Sequence, residues 1–575
     1  PSMPEGVYER IFELAKRRGY LYPSFEAYGG AAGFYDYGPL GAQLKASIEN
    51  LFRRIFVVEE GCAEISCPAV TIEEVFVASG HVAKFDDPVV RCQNCKSPFR
   101  ADHLIEEAGY TGNSALLKNE EIDALVREKG VKCKNCGGPF GGCYRQNLMF
   151  KTEIGPGSGK VGYLRPETAQ GIFVDYPFLY RYFREQLPFG VCQIGRAYRN
   201  EISPRQGVLR LREFNQMEVE VFIDPEKLTH PKFKRVKATT LRFLPKGSAS
   251  KESVEMSIGD AVKKKIVANQ ALAYYLVLVS RLLSEAGIDP KRLRFRQHED
   301  DEKAHYARDT WDAEFQSERF GWVECVGIAD RSAYDLTQHA RLSGAPMRAI
   351  RRFESPQKRE VVQVKVVPAK IGPLFKKDAP AVTAALLALP PAKAEAAKTS
   401  NGVDVQVDGR PVHVPRDAYE VSRETITVSG DEYVPNVIEP SFGIDRILYA
   451  VLEHSYLETK KEGEAYTVLR LPRPMAPIEV GVFPLMPKDG LDTMAEKILH
   501  KLQGAGLRAQ YDDSGAIGRR YARMDEVGTP FCITVDYESL EKRTVTVRER
   551  DSTKQERVRV GQLASNLRKR LVGAP

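Results

Sequence analysis

Arg199-Asn200-Glu201 and Arg210-Leu211-Arg212-Glu213-Phe214, separated by Ser203-Pro204-Arg205-Gln206-Gly207, bring phosphate-binding and base-stacking groups within sixteen residues of one another. Residues two apart on a strand point the same way, so Arg199 with Glu201, and Arg210 with Arg212 and Phe214, are expected to share sheet faces. The intervening Pro and Gly suit a turn. An Arg fork matches phosphate, a carboxylate accepts from an adenine amino group, and a Phe ring stacks on a base. The pattern predicts a nucleotide-binding hairpin. Without further context, a surface hairpin carrying an Arg-Glu-Arg charge ladder explains it as well.

Context favours the first reading. Arg165-Pro166-Glu167-Thr168-Ala169-Gln170-Gly171 precedes the hairpin, and Glu439-Pro440-Ser441-Phe442-Gly443-Ile444-Asp445-Arg446 lies far downstream. Gly33-Phe34-Tyr35-Asp36-Tyr37-Gly38-Pro39, Ser79-Gly80-His81 and Phe99-Arg100-Ala101-Asp102-His103 complete the set. With these motifs in this order the chain resembles the glycyl-tRNA synthetases, a class II family, in their archaeal and eukaryotic-like homodimeric branch. The resemblance covers most of the chain.

It implies an α/β fold: an antiparallel sheet flanked by helices, interrupted by inserted subdomains and followed by a C-terminal α/β anticodon-binding domain. The corresponding division is catalytic core in 1–91, 137–226, 294–354 and 434–473; a cysteine-knuckle insertion in 92–136; further insertions in 227–293 and 355–433; and the anticodon-binding domain in 474–575. The reaction implied is adenylation of glycine by ATP followed by transfer to the 3′ end of tRNA(Gly), in a homodimer. Arg199 is the implied catalytic residue. Asn200, Glu201, Leu209, Arg210, Leu211, Phe214, Glu324, Cys325, Gly443 and Arg446 complete the ATP site, and Arg100, Glu167, Glu218, Glu439 and Ser441 the glycine site. Glu324 and Glu439 are the candidates for Mg²⁺ accompanying ATP, since this hard cation prefers carboxylate and phosphate oxygens. Glycine has no side chain to grip, so several acidic groups around its ammonium would both bind it and exclude an added methyl. Rejection by overlap is the easier discrimination, and no editing domain is expected. The rival readings are a nucleic-acid-binding accessory protein on the same fold and a synthetase for another small amino acid.

Four of the ten cysteines form Cys-x-x-Cys pairs, Cys92/Cys95 and Cys133/Cys136. Four thiolates make a closed tetrahedral shell, so a structural zinc is expected. The pairs stand further apart than in a compact zinc ribbon, and Cys143 is an alternative ligand.

Composition sets broad bounds. The 575 residues are 43% hydrophobic, enough for several cored domains. The longest apolar run, Ala271 to Val279, falls short of the roughly 20 residues that span a bilayer and reads as a buried helix. Near the N-terminus, Glu9, Arg10, Lys16, Arg17 and Arg18 interrupt any signal-peptide core, and a cytoplasmic protein without a membrane segment is expected. Net charge is +7, and basic residues are dense after Lys542, including Arg543, Arg548, Arg550, Arg557, Arg559, Arg568, Lys569 and Arg570. That end is read as a surface for RNA phosphates, a solvated basic face being the alternative. Leu44, Ile48, Leu51, Phe52 and Ile55 recur at helical spacing after Gly41. Apolar segments alternate between strand and helix patterns from Ile478 to Val535.

Overall fold

The computed structural model describes residues 6–204, 207–248, 252–300, 307–407, 409–461 and 463–572. Arg205 and Gln206, read above as part of a turn, lie outside the described residues. Two compact units emerge: one comprises Pro1–Met347 with Pro435–Pro575, the other Arg348–Val434.

A nine-stranded sheet organises the first unit. Its strands run, in spatial order, Val254–Ser257, Thr240–Leu244, Leu293–Gln297, Asp309–Ser317, Gly321–Ser332, Asn436–Gly443, Glu213–Ile223, Phe189–Tyr198 and Ala63–Ile65. Neighbours are antiparallel except Thr240–Leu244 beside Leu293–Gln297 and Phe189–Tyr198 beside Ala63–Ile65. Residues 227–293, read as an insertion, thus contribute two strands to the edge of the same sheet.

The period of two explains why this sheet carries a site. On the central strands Met217, Val219 and Val221, Ile438 and Phe442, and Val326 and Ile328 are buried in one apolar cluster. Helices Gln270–Ala286 and Ile444–Ser455 supply much of the rest of that cluster. Gln216, Glu218, Glu220, Glu439, Ser441, Gly327 and Arg331 occupy the alternate positions, so a polar stripe runs along the opposite face. The stripe after Gly41 forms helix Pro39–Phe52, which continues in a π-helical turn, Arg53–Glu59; Leu44, Ile48, Phe52 and Ile55 are fully buried.

The cysteine-bearing segment has its own small core of Val90, Phe99, Leu104, Ile105 and Ile122. The C-terminal domain is a five-stranded mixed sheet in which Val480–Pro484 lies between Ala509–Tyr511 and Phe531–Val535, parallel to both. Helices Leu491–Gly504 and Leu563–Val572 contribute to its core.

That domain corrects the reading of the basic C-terminus at two of its residues. Arg548 is buried in a two-pronged ion pair with Asp525, both bonds 2.8 Å. Arg550 is buried as well, donating to the carbonyls of Gly528 and Leu471 and pairing with Asp551. These arginines hold the domain together and are not available to phosphate. Arg548 lies on the strand Thr544–Glu549 and Arg550 just beyond it, and residue counting along a basic run does not register which of its members turn inward.

The second unit is a long antiparallel ribbon, Ala349–Val366 with Tyr419–Tyr433, capped by three short helices and the hairpin Gly402–Val407/Arg410–Pro415. Val364, Ile371, Val382, Leu386, Val405, Val414 and Tyr419 share its core.

Candidate active site

The strand ladder around the opening motif ends one residue early on each side, at Tyr198 opposite Glu213. Of the hairpin groups only Phe214 lies on a strand; Arg199, Glu201, Arg210 and Arg212 belong to the connecting loop, which corrects the shared-face reading. A tight turn, Glu201 N–H to Arg199 carbonyl at 2.7 Å, and a 3-10 turn at Gly207–Leu209 divert the chain. The loop is then tied by side chains. Arg210 Nε donates to Glu201 at 2.8 Å, and the Arg212 guanidinium grips the Glu201 carbonyl at 2.9 and 3.2 Å.

This loop closes one wall of a cleft of about 400 Å³. Arg199, Glu201, Leu209, Arg210, Leu211, Phe214, Glu324, Cys325, Gly443 and Arg446 line one end, and Glu167, Glu218, Glu439 and Ser441 the other. Two expected residues lie elsewhere. Asn200 is exposed, its backbone N–H donating to the Leu148 carbonyl. Arg100 pairs with Asp87 at 3.1 Å and with Asp102, and lines an adjoining pocket with His103, Ser203 and Arg210.

At the basic end, Arg199 sits 5.2 Å from the Phe214 ring centre and 5.3 Å from that of Phe85. Its Nε donates to the Pro166 carbonyl at 3.2 Å, leaving the terminal nitrogens of the fork for the cleft. Arg446 is aimed by the Leu209 carbonyl at 3.1 Å and by Glu324, whose backbone and side-chain oxygens accept at 2.9 and 3.0 Å. Asp445, buried beneath, accepts from the Asn215 backbone at 2.7 Å and from the Tyr37 hydroxyl at 2.5 Å.

At the acidic end, Glu218 is held by the Ser441 hydroxyl at 2.6 Å and the Thr168 backbone N–H at 2.8 Å. Arg331 Nη1 reaches both oxygens of Glu439, at 3.1 and 2.9 Å, while its other nitrogens hold Asp335 at 2.8 and 2.9 Å. Gln170 bridges Glu167 and Asp335. Behind them Glu220 is fully buried, and neither carboxyl oxygen is hydrogen-bonded among the described residues. Burial, then repulsion from Glu439, raises its pKa well above the ordinary range. Burial also pushes the Glu439 carboxyl up to about 7, with repulsion from Glu218 and Glu167 adding to it against the pull of Arg331. Glu167 behaves oppositely: burial is outweighed by His81, Arg331 and the Gln170 hydrogen bond, which hold it below its usual value. The result is a pit lined by one firmly ionised carboxylate and others poised to ionise when a cation enters.

Sequence reasoning missed Arg331 and Asp335, and quoted Thr168, Gln170 and Asp445 within motifs without giving them a role. The available signal for Arg331 was its position just after the apolar run Val326-Gly327-Ile328-Ala329 and Asp330, with an acid four residues on at Asp335. A charge at that point needs a buried partner.

The four cysteines of the knuckles converge, their sulfurs all within 4.8 Å of one another. Cys92 and Cys136 lie 3.4 Å apart and Cys95 and Cys133 3.6 Å. Zn–S bonds of about 2.3 Å in a tetrahedron require sulfurs roughly 3.8 Å apart, so the set fits zinc. Cys143 stands outside it, its backbone N–H bonded to Asp123.

Comparison with known proteins agrees with this architecture. Residues 159–455 match the family model "tRNA synthetase class II core domain (G, H, P, S and T)", and residues 479–570 match "Anticodon binding domain". The glycine–tRNA ligase of Methanothrix thermoacetophila is 50% identical over 99% of this chain and 97% of its own length. That of Methanocaldococcus jannaschii is 47% identical over 99% and 100%. Among solved structures, one described as the RNA binding domain of threonyl-tRNA synthetase from Cryptosporidium parvum superposes with a TM-score of 0.52 at 15% identity, covering 97% of this chain and 98% of that one. The prolyl-tRNA synthetase of the same organism, complexed with L-proline and AMP, gives 0.51 at 11% over 98% and 75%; both likenesses concern the fold alone. With near-complete coverage at half identity, a matching core model and a cleft of the expected polarity, the chain belongs to the glycine–tRNA ligase family of class II aminoacyl-tRNA synthetases.

Proposed function

We propose that the protein activates glycine with ATP and transfers the glycyl group to tRNA(Gly). The observation that carries this reading is one cleft with a basic, aromatic end adjoining a buried carboxylate pit. In this assignment Phe214 stacks on adenine from one side and Arg446 covers the other. Glu201 accepts from the adenine amino group, with the nearby backbone, and Arg210 turns from Glu201 toward the β- and γ-phosphates.

Arg199, at the junction, holds the glycine carboxylate against the α-phosphate. One carboxylate oxygen attacks phosphorus, the bond to the bridging oxygen breaks, and pyrophosphate leaves with that electron pair. The substrate carboxylate is already ionised near neutral pH, so no general base is required. Catalysis therefore rests on positioning and on charge stabilisation by Arg199. Magnesium supplied with ATP would neutralise phosphate charge. Glu324 suits it better than Glu439, both oxygens of which are occupied by Arg331.

Glu167, Glu218 and Glu439 with Ser441 receive the ammonium, and several such groups crowded around one small cation would make an added methyl clash. Glycine-dependent ATP–pyrophosphate exchange, compared with alanine and serine, tests the reading. Exchange with glycine is expected, whereas exchange with alanine or serine instead would reassign the substrate. No exchange from metal-replete folded protein would point to an accessory nucleic-acid-binding role.

The cysteine set is assigned one structural zinc per chain, which metal analysis should find. Removal by a chelator is expected to lower the melting temperature, and Cys95→Ser to reproduce this without added chelator. A homodimer in the cytoplasm completes the proposal. Apolar side chains exposed at Val70, Ile72, Val77, Phe178 and Tyr182 support a second copy as partner, and no described helix is long and apolar enough to cross a membrane.

A further inference from the structure

The signature Gly33-Phe34-Tyr35-Asp36-Tyr37-Gly38-Pro39 has no part in the chemistry above, yet it belongs to an N-terminal segment that touches both the cleft and the C-terminal domain. At the cleft end, Tyr37 donates to Asp445, which also anchors Asn215 beside Phe214 and directly precedes Arg446. Burial raises the Tyr37 phenol well above its usual pKa, so it remains a donor. The Gly33 and Ala32 carbonyls accept from Arg212, through its backbone at 2.9 Å and its side chain at 2.7 Å. Gly33 itself, at φ +80°, packs so closely that a Cβ would lie 2.7 Å from Pro204 of the nucleotide loop.

At the distal end, Arg17 and Arg18 both grip Glu526 on helix Ile517–Glu526, Arg18 Nε at 2.6 Å. The Tyr20 hydroxyl donates to the Val527 carbonyl at 2.8 Å. Leu40 packs against Phe483, Met524 and Val527 of the same domain. The two ends are joined by short, stiff structure. Leu21–Pro23 pairs with Tyr35–Tyr37, placing Leu21 directly opposite Tyr37, and Gly41 lies where any Cβ would strike the Tyr20 carbonyl.

We propose that residues 7–41 form a strap through which docking of the C-terminal domain sets the position of the nucleotide loop and of Arg446, with Tyr37 and Arg212 as positioning residues. Its hydrogen bonds at the cleft end on Asp445 and Arg212, beside Arg446 and the nucleotide loop, so its effect is expected to fall on ATP and spare glycine. This inference rests on the ligase reading for its purpose. Its test does not, because ATP affinity can be measured without turnover.

Calorimetric ATP binding to the full-length protein, with Tyr37→Phe, Glu526→Gln and the double variant, reads the strap directly. Tyr37→Phe removes one hydroxyl and is expected to weaken ATP binding about tenfold, equivalent to ~1.4 kcal/mol. Glu526→Gln, far from the cleft, is expected to weaken it severalfold, and the double variant no more than Tyr37→Phe alone. Arg18→Lys, which keeps the charge on Glu526, should recover most of the affinity relative to Arg18→Ala. In exchange assays the KM for ATP should rise while that for glycine stays constant. Wild-type ATP affinity in Glu526→Gln, or multiplicative losses in the double variant, would overturn the strap. So would equal rises in both KM values alongside a lowered melting temperature, which signal general loosening. Absence of glycine-dependent exchange in the wild type, by contrast, would overturn only the ligase reading.

Discussion

The two ends of the cleft use the same residue types in opposite ways. At the basic end, proposed to hold ATP, arginines are aimed outward: Arg199, Arg210 and Arg446 are each fixed by one or more oxygens from the protein and keep donors for the cleft. At the other end Arg331 is turned inward, buried, and committed to Glu439 and Asp335, so that the surplus charge facing the cleft is negative. A guanidinium with spare donors binds anions, whereas one saturated by carboxylates tunes its acidic neighbours. Polarity in this cleft is therefore set by how completely each arginine is satisfied.

The largest expected effect comes from emptying the inward arginine. Arg331→Met would leave Glu439 and Asp335 without their shared cation, and loss of one partner of a buried pair costs about 3–5 kcal/mol. A denaturation series should register that loss together with a higher KM for glycine. Unchanged stability would mean that Arg331 is not their counter-charge.

Emptying the outward arginine should separate chemistry from folding. Arg199→Ala is expected to lower the exchange rate by about 100- to 1000-fold, the range for removing one preorganised donor to developing charge, with a melting temperature near that of the wild type. A variant retaining most of the rate would move charge stabilisation to Arg210 or Arg446.

A smaller effect comes from pH and sharpens the contrast without mutation. The Glu439 pKa is raised to about 7, so below that pH a proton occupies the pit and must leave before an ammonium binds. The sign follows: apparent glycine affinity improves as pH rises toward 7 and levels off above it, by up to about tenfold per unit for one proton. The KM for ATP should not follow the same curve. A glycine KM that is flat from pH 6 to pH 8 would show the pit already ionised when empty.

How much of this was legible in the sequence depended on the range of the interaction. Most of the residues that line the cleft, Glu167, Glu218, Glu439 and Ser441 among them, were implied by the resemblance, whose motifs are short local patterns; Val208, Gln216, Gly327, Arg331 and Asp445 were not. The four cysteines were legible for the same reason, and the structure brings their sulfurs together. The conformation of residues 199–212 was not: a two-residue alternation suggested strands, but Glu201, Arg210 and Arg212 satisfy one another in a loop. Arg548 and Arg550 were read as a basic surface because their partners, Asp525 and the carbonyls of Gly528 and Leu471, are 22 to 79 residues away.

By itself the sequence determined the family, the order of the motifs and the chemical types at both ends of the cleft, since residue identity carries charge, donors and ring stacking directly. Tertiary structure alone decided which charges remain available. Glu220 without hydrogen bonds, Arg331 spent on two carboxylates and Tyr37 reaching Asp445 across 408 positions are products of strand register and burial. Those properties arise only when distant segments share a low-dielectric space, where an unsatisfied or fully paired group behaves differently from the same group in water.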